Sequence, residues 1–146
     1  MDTVMITAGR DKTVKLVNIS KPVTMSPPDP NSSIGSMVYL PYSVLDGTKP
    51  YDADCNIYAL GLMMWEIWHN GHVYKVHRNL TVRVFSAGIR QGNFPLEFET
   101  GKMDPTLEAY WEKTMRTSLS GDIAIKDCKD RMRRIKDLLN RKESAV

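Results

Sequence analysis

The alternation of apolar and polar positions along this chain breaks down once, in the stretch Asn56-Ile57-Tyr58-Ala59-Leu60-Gly61-Leu62-Met63-Met64-Trp65-Glu66-Ile67-Trp68. Glu66 is its one charge, and apolar side chains fall on every face of a helix drawn through it. Such a helix needs cover on all sides, and it falls short of the roughly 20 apolar residues that cross a bilayer. The pattern therefore predicts a buried central helix over residues 56–68, around which the rest of the chain is built. Asp52, Asp54 and Asn56 are the candidates to cap its first turn. His69-Asn70-Gly71 ends it, with Gly71 expected in the left-handed cap.

The flanking pattern is more ordinary. Val4-Met5-Ile6-Thr7 and Thr13-Val14-Lys15-Leu16-Val17 are short β-prone runs separated by turn formers, which predicts a hairpin within residues 1–17. From Asn18 to Ser36 the periodicity fades, and Pro22, Pro27, Pro28 and Pro30 sit among Ser, Thr, Asn and Asp. That composition predicts a long exposed loop, a feature that is as a rule functional or mobile. Met37–Leu45 is apolar enough to pack back onto the body, and Asp46-Gly47-Thr48-Lys49-Pro50 is a turn. After a polar connector from His69 to Asn79, a helix is expected over Leu80–Ile89, capped by Asn79 and ended by Asn93-Phe94-Pro95. Asp104-Pro105 opens the next helix, with Asp as cap and Pro at the first position. Leu107, Tyr110, Trp111, Met115 and Leu119 follow helical spacing, and Ser120-Gly121-Asp122 breaks the run. Ile125, Cys128, Met132, Ile135, Leu138 and Leu139 mark the apolar face of a final helix. The sum is a single mainly α (α+β) domain over residues 1–146.

Composition narrows the classes of function. Hydrophobic residues make up 42% of the 146, enough to build a core. A net charge of +3 gives no strong field to attract nucleic acid. The N-terminal residues lack the apolar core of a signal peptide, so a cytoplasmic, membrane-free protein is expected. Cys55 and Cys128 then read as reduced and buried. His69, His72 and His77 have no nearby Cys or well-placed carboxylate to complete a metal set. The cations of the last helix are interspersed with Asp127, Asp130 and Asp137 and read as a solvated face.

The order of these elements resembles the second half of the large lobe of eukaryotic protein kinases. Thr13-Val14-Lys15-Leu16-Val17-Asn18-Ile19-Ser20 is similar to the strand entering the Asp-Phe-Gly motif. Gly35-Ser36-Met37-Val38-Tyr39-Leu40-Pro41-Tyr42-Ser43-Val44-Leu45 is similar to the end of the activation segment, where the family carries Ala-Pro-Glu. Residues 18–45 would then be activation-segment-like. Asn56 through Gly61, followed by Trp65-Glu66-Ile67, resembles the helix bearing Asp-x-Trp/Tyr-x-x-Gly. Ile89-Arg90-Gln91-Gly92-Asn93-Phe94-Pro95 resembles the end of the next helix, within the helical portion 79–146. The structural family positions are thus Gly35, Ser43, Asn56, Gly61, Gly92 and Pro95.

The departures from the family's pattern carry the functional expectation. Phosphoryl transfer rests on positioning and on neutralising phosphate charge. The chain has no G-x-G-x-x-G to cradle ATP. The metal-binding Asn of the catalytic loop aligns with Thr3, which puts the catalytic Asp before Met1. Asn18 replaces the Asp of Asp-Phe-Gly, and its amide brings no charge to a magnesium ion. The Glu of Ala-Pro-Glu is Ser43, and its usual Arg partner is missing from the Arg-free stretch 120–125. Losing both together avoids an unpaired buried charge, which costs about 3–5 kcal/mol. Asn56 replaces the Asp that anchors the catalytic loop. The resemblance implies a pseudokinase-like fragment with no catalytic residue and no cofactor of its own, although the family uses ATP and Mg. Ser26, followed by Pro27, is a regulatory candidate on the loop. The central helix lacks the helices that precede it in a whole kinase, so some of Tyr58, Leu62, Trp65 and Trp68 are expected to face a gap. That uncovered flank would hold a protein partner or a second copy of the chain. The alternative is a piece of a larger ATP-dependent kinase, acting on Ser/Thr or Tyr when the missing lobe is present.

Overall fold

The computed structural model describes residues 4–6, 14–16, 28–121 and 125–144. Two three-residue strands, β1 (Val4–Ile6) and β2 (Val14–Leu16), pair antiparallel with Val4 opposite Leu16 and Ile6 opposite Val14. The link between them lies outside the described residues. Five helices follow, among the described residues: α1 (Tyr42–Leu45), α2 (Ala53–His69), α3 (Val82–Arg90), α4 (Pro105–Ser120) and α5 (Ile125–Ser144). The described part is thus mainly helical. None of these helices is long and apolar enough to cross a membrane.

The central helix extends three residues before the expected start and one beyond the expected end. Asp52 is its cap, accepting from Asp54 N–H at 3.0 Å. Its C-terminus differs from expectation: Asn70 adopts the left-handed conformation (φ 50°, ψ 49°), and Gly71 does not. Asn tolerates that region because its short polar side chain adds little steric penalty.

Cover on α2 comes from two sides. Leu62 packs with Ile34, Val38, Leu45, Val73, Val82 and Phe85, which belong to the end of the long loop, the 3-10 turn after it, α1, the connector and α3. Met64 packs with Leu107 and Met115 of α4 and Ile135 of α5. Gly61 lies where α4 crosses, and a Cβ there would stand 3.1 Å from the Met115 carbonyl oxygen and the Leu119 side chain. Near its start, Ile57 meets Cys128 of α5, with Leu60 alongside.

The third face is open, which corrects the expectation of cover all round. Asn56 and Ile67 are exposed, and Leu60 and Met63 are half-buried. At about 100° per residue these four fall on one stripe. The uncovered flank is not built from the residues expected from sequence. Leu62 is 0% exposed, Trp68 is 9% exposed, and Tyr58 and Trp65 pack against the core. Ile67, at 67% exposure, is the large apolar side chain of α2 that faces outward.

The expected exposed loop is corrected at its end. Ile34 is fully buried, and the chain before it serves the start of α3. Val82 N–H donates to Ser32 O (2.9 Å), Arg83 N–H to Pro30 O (3.0 Å) and Val84 N–H to Thr81 Oγ1 (3.3 Å). These are the orphan donors of a helix N-terminus. The cap is Thr81 rather than Asn79, and α3 begins two residues later than expected. The end of α3 falls at Arg90, one residue beyond the expectation, and α4 is bounded as the pattern predicts. Asp104 caps α4 through bonds from Thr106 and Leu107 N–H, Pro105 opens it, and Gly121 (φ 77°) closes it.

Candidate functional site

The family-like positions do not converge on one site. Thr3, Asn18 and Ser26 lie outside the described residues. Gly35 (φ 50°) opens a 3-10 turn over Gly35–Tyr39, and its N–H donates to Arg78 O at 3.0 Å. Ser43 lies in α1, and its carbonyl accepts from Lys49 N–H (3.0 Å) and the Thr48 hydroxyl (3.1 Å). Asn56 accepts the Tyr51 hydroxyl at 2.8 Å on the surface. Gly61 is buried at the α2–α4 crossing, Gly92 (φ 75°) follows the end of α3, and Pro95 is exposed. Gly35, Gly61 and Gly92 have backbone reasons for their identity, and none of the six carries reactive chemistry in this arrangement.

Sequence reasoning missed the polar node at Glu66. The Glu66 carboxylate is 18% exposed. Its Oε2 accepts the Tyr39 hydroxyl at 2.7 Å and the Val73 N–H at 2.9 Å. Arg78 Nη2 stands 3.9 Å from the same oxygen and donates to the Tyr39 hydroxyl oxygen and to Val73 O, both at 3.1 Å. The guanidinium also lies over the Tyr39 ring, 5.4 Å from its centre. His72 Nδ1 is 3.6 Å from Oε2. Burial, and then the hydrogen bond to Glu66, raise the Tyr39 phenol above its ordinary value. Oε2 is thus committed to donors from the 3-10 turn and the connector. It joins α2 to these two segments. The signal in the sequence was the lone charge in an apolar run, since a buried charge demands partners.

Tyr58 and Tyr74 are both half-buried and pack against the same core cluster. Burial raises both phenols: Tyr74 to about 12, and Tyr58 further. Tyr74 holds φ 54°, a strained conformation for a bulky residue, and its ring meets Phe85 edge-on at 5.2 Å.

The chain between α3 and α4 is stitched across the end of α2. Trp65 Nε1 donates to Glu97 O and Trp68 Nε1 to Glu99 O, each at 2.8 Å. Glu99 N–H donates to His69 Nε2 at 3.1 Å, which leaves the proton on Nδ1 to reach Trp65 O at 2.8 Å. Glu108, buried in the first turns of α4, accepts from Gly101, Lys102 and Met103 N–H at 3.1, 2.7 and 3.1 Å. The Lys102 ammonium beside Glu99 holds that carboxyl below its ordinary value.

Among the described residues, no group of three or more His, Cys, Asp or Glu could hold a metal. Cys55 and Cys128 are buried free thiols, and burial raises both. An open cavity of about 320 Å³, lined by Asp104, Thr106, Leu107, Leu138 and Arg141, lies between α4 and α5 and holds none of the family-like positions. No protein-family model, no curated protein and no solved structure matches the chain.

Proposed function

We propose that the chain is a protein-kinase-like, pseudokinase-type lobe fragment that acts by binding protein and not by catalysis. The observation that carries this reading is the path of residues 28–69. A loop ends in a 3-10 turn and a short helix and docks on one side of the central helix, and among the three helices that follow, α4 and α5 cover a second side. This is the element order on which the sequence resemblance rests. The Tyr39–Glu66–Arg78 node supports it further: with Ser43 in the position of the family's Glu, a different acid–Arg set pins the same segment.

Catalysis finds no support in the chain's own residues. Asn18 supplies an amide where a hard cation on phosphate calls for carboxylate. Binding has a surface: the stripe Leu60–Met63–Ile67 on α2, with Asn56 at its head. An apolar stripe on a core helix is a place for a partner or a second copy of the chain.

Thermal unfolding with Mg-ATP tests the reading. Saturating nucleotide stabilises a binder by about 2.7 kcal/mol at 100 times Kd, which raises Tm by several degrees. The expected result is no shift. A saturable rise would overturn the reading in favour of a piece of an active ATP-dependent kinase.

A further inference from the structure

The exposed face of α5 is not a uniform mixture of charges. Cys128 and Ile135 are buried, and Met132, Leu138 and Leu139 pack into the core beside them. With that side fixed, about 100° per residue brings Lys126, Lys129, Arg133 and Lys136 within about 80° of arc, on a row about 15 Å long. Asp127, Asp130 and Asp137 fall on the neighbouring strip, together with Arg134 and Arg141. All of these side chains are exposed. Lys126, Lys129 and Lys136 have no ion-pair partner among the described residues, and Arg133 reaches Asp130 only at 3.5 Å between two exposed groups. Surface pairs of that kind contribute about 0–1 kcal/mol. The row is therefore a line of uncommitted cations held in register by a helix whose apolar face is already used.

We infer that this row is a docking edge for an acidic helical segment of another protein. The apolar side of α5 is consumed by the core, so the helix has nothing to insert into a lipid surface. A nucleic acid duplex carries uniform negative charge and would meet the adjoining aspartates, on a molecule whose net charge is only +3. A protein helix can place carboxylates against the row and leave the aspartate strip unopposed or matched by its own cations. Charge arranged in this way sets register and specificity more than affinity. The edge is separate from the apolar stripe of α2, and the inference does not depend on the kinase-like reading.

The test uses a fluorescein-labelled, alanine-based peptide with glutamates at i, i+3, i+7 and i+10, followed by anisotropy on the full chain. The row predicts binding in low salt, weakened about tenfold or more in Lys129→Glu/Lys136→Glu and by salt near 0.5 M. Lys129→Gln/Lys136→Gln should weaken it less, and a matching melt for either variant shows that the fold is intact. The scrambled peptide of identical composition should bind distinctly worse. Equal binding of both peptides, no binding at low salt, or tighter binding of a DNA duplex or of phosphatidylserine vesicles would each overturn the inference.

Discussion

Glu66 shows how much one side chain can organise. It is the single charge in the apolar run, and its carboxylate gathers Tyr39 from the 3-10 turn and Val73 and Arg78 from the connector. Hydrogen bonds to a charged group are worth about 1.5–3 kcal/mol each, and an abandoned buried donor costs about 1–3 kcal/mol. Glu66→Ala is thus expected to lower stability by about 2–4 kcal/mol and Glu66→Gln by about 1 kcal/mol in urea unfolding. A cycle with Tyr39→Phe should return a coupling of about 1 kcal/mol. Strict additivity would remove the carboxylate from the account as a pin. The tyrosines give a pH signature at the same scale. Burial lifts Tyr74 to about 12, above the unfolded phenol near 10. Below pH 10 both states are neutral and the full stability is present. Between about 10 and 12 the unfolded chain ionises first, so stability falls with rising pH, by about 2–3 kcal/mol from this group. Tyr74→Phe should flatten that limb in alkaline denaturation, and an unchanged slope would contradict the assignment.

The strap from Leu96 to Met103 has no regular secondary structure and is tied by side chains from α2 and α4. Its backbone is met by Trp65, Trp68, His69, Glu108 and Arg116. Glu108 takes three N–H donors on its two oxygens, so Glu108→Gln would turn an amide donor toward backbone donors. A loss of about 2–3 kcal/mol is expected, with the amides of Gly101, Lys102 and Met103 exchanging early. Unaltered protection at these three amides would show that the carboxylate does not hold the strap. The helices that bracket the strap were legible because Asp104-Pro105 and Gly121 are local signals with local causes. The strap was not, because its order comes from side chains some 30 residues earlier, at Trp65, Trp68 and His69. At the start of α3 the cap, Thr81, is as local as Asn79, and the carbonyls of Ser32 and Pro30, distant in sequence, take the N–H groups of Val82 and Arg83 and fix where the helix begins.

At the scale of the molecule, the sequence identified the right centre and the wrong open side. An apolar run of thirteen residues, Asn56 to Trp68, says that a helix is buried, but the run has no polar face to show which way its neighbours leave it. Tyr58, Leu62 and Trp68 are covered because the loop end and α4 approach from those directions, and Ile67 is left out. The resemblance to kinases is a pattern of sequence motifs only. Thr3 and Asn18, its degenerate positions, and Ser26, the regulatory candidate, are outside the described residues.

Native-state hydrogen exchange of α2 bears most directly on the whole account. If the chain is assembled around this helix, the amides of Ala59 to Glu66 exchange only through global unfolding and are among the slowest in the protein. Exchange of those amides through a partial opening, while α5 stays protected, would contradict it.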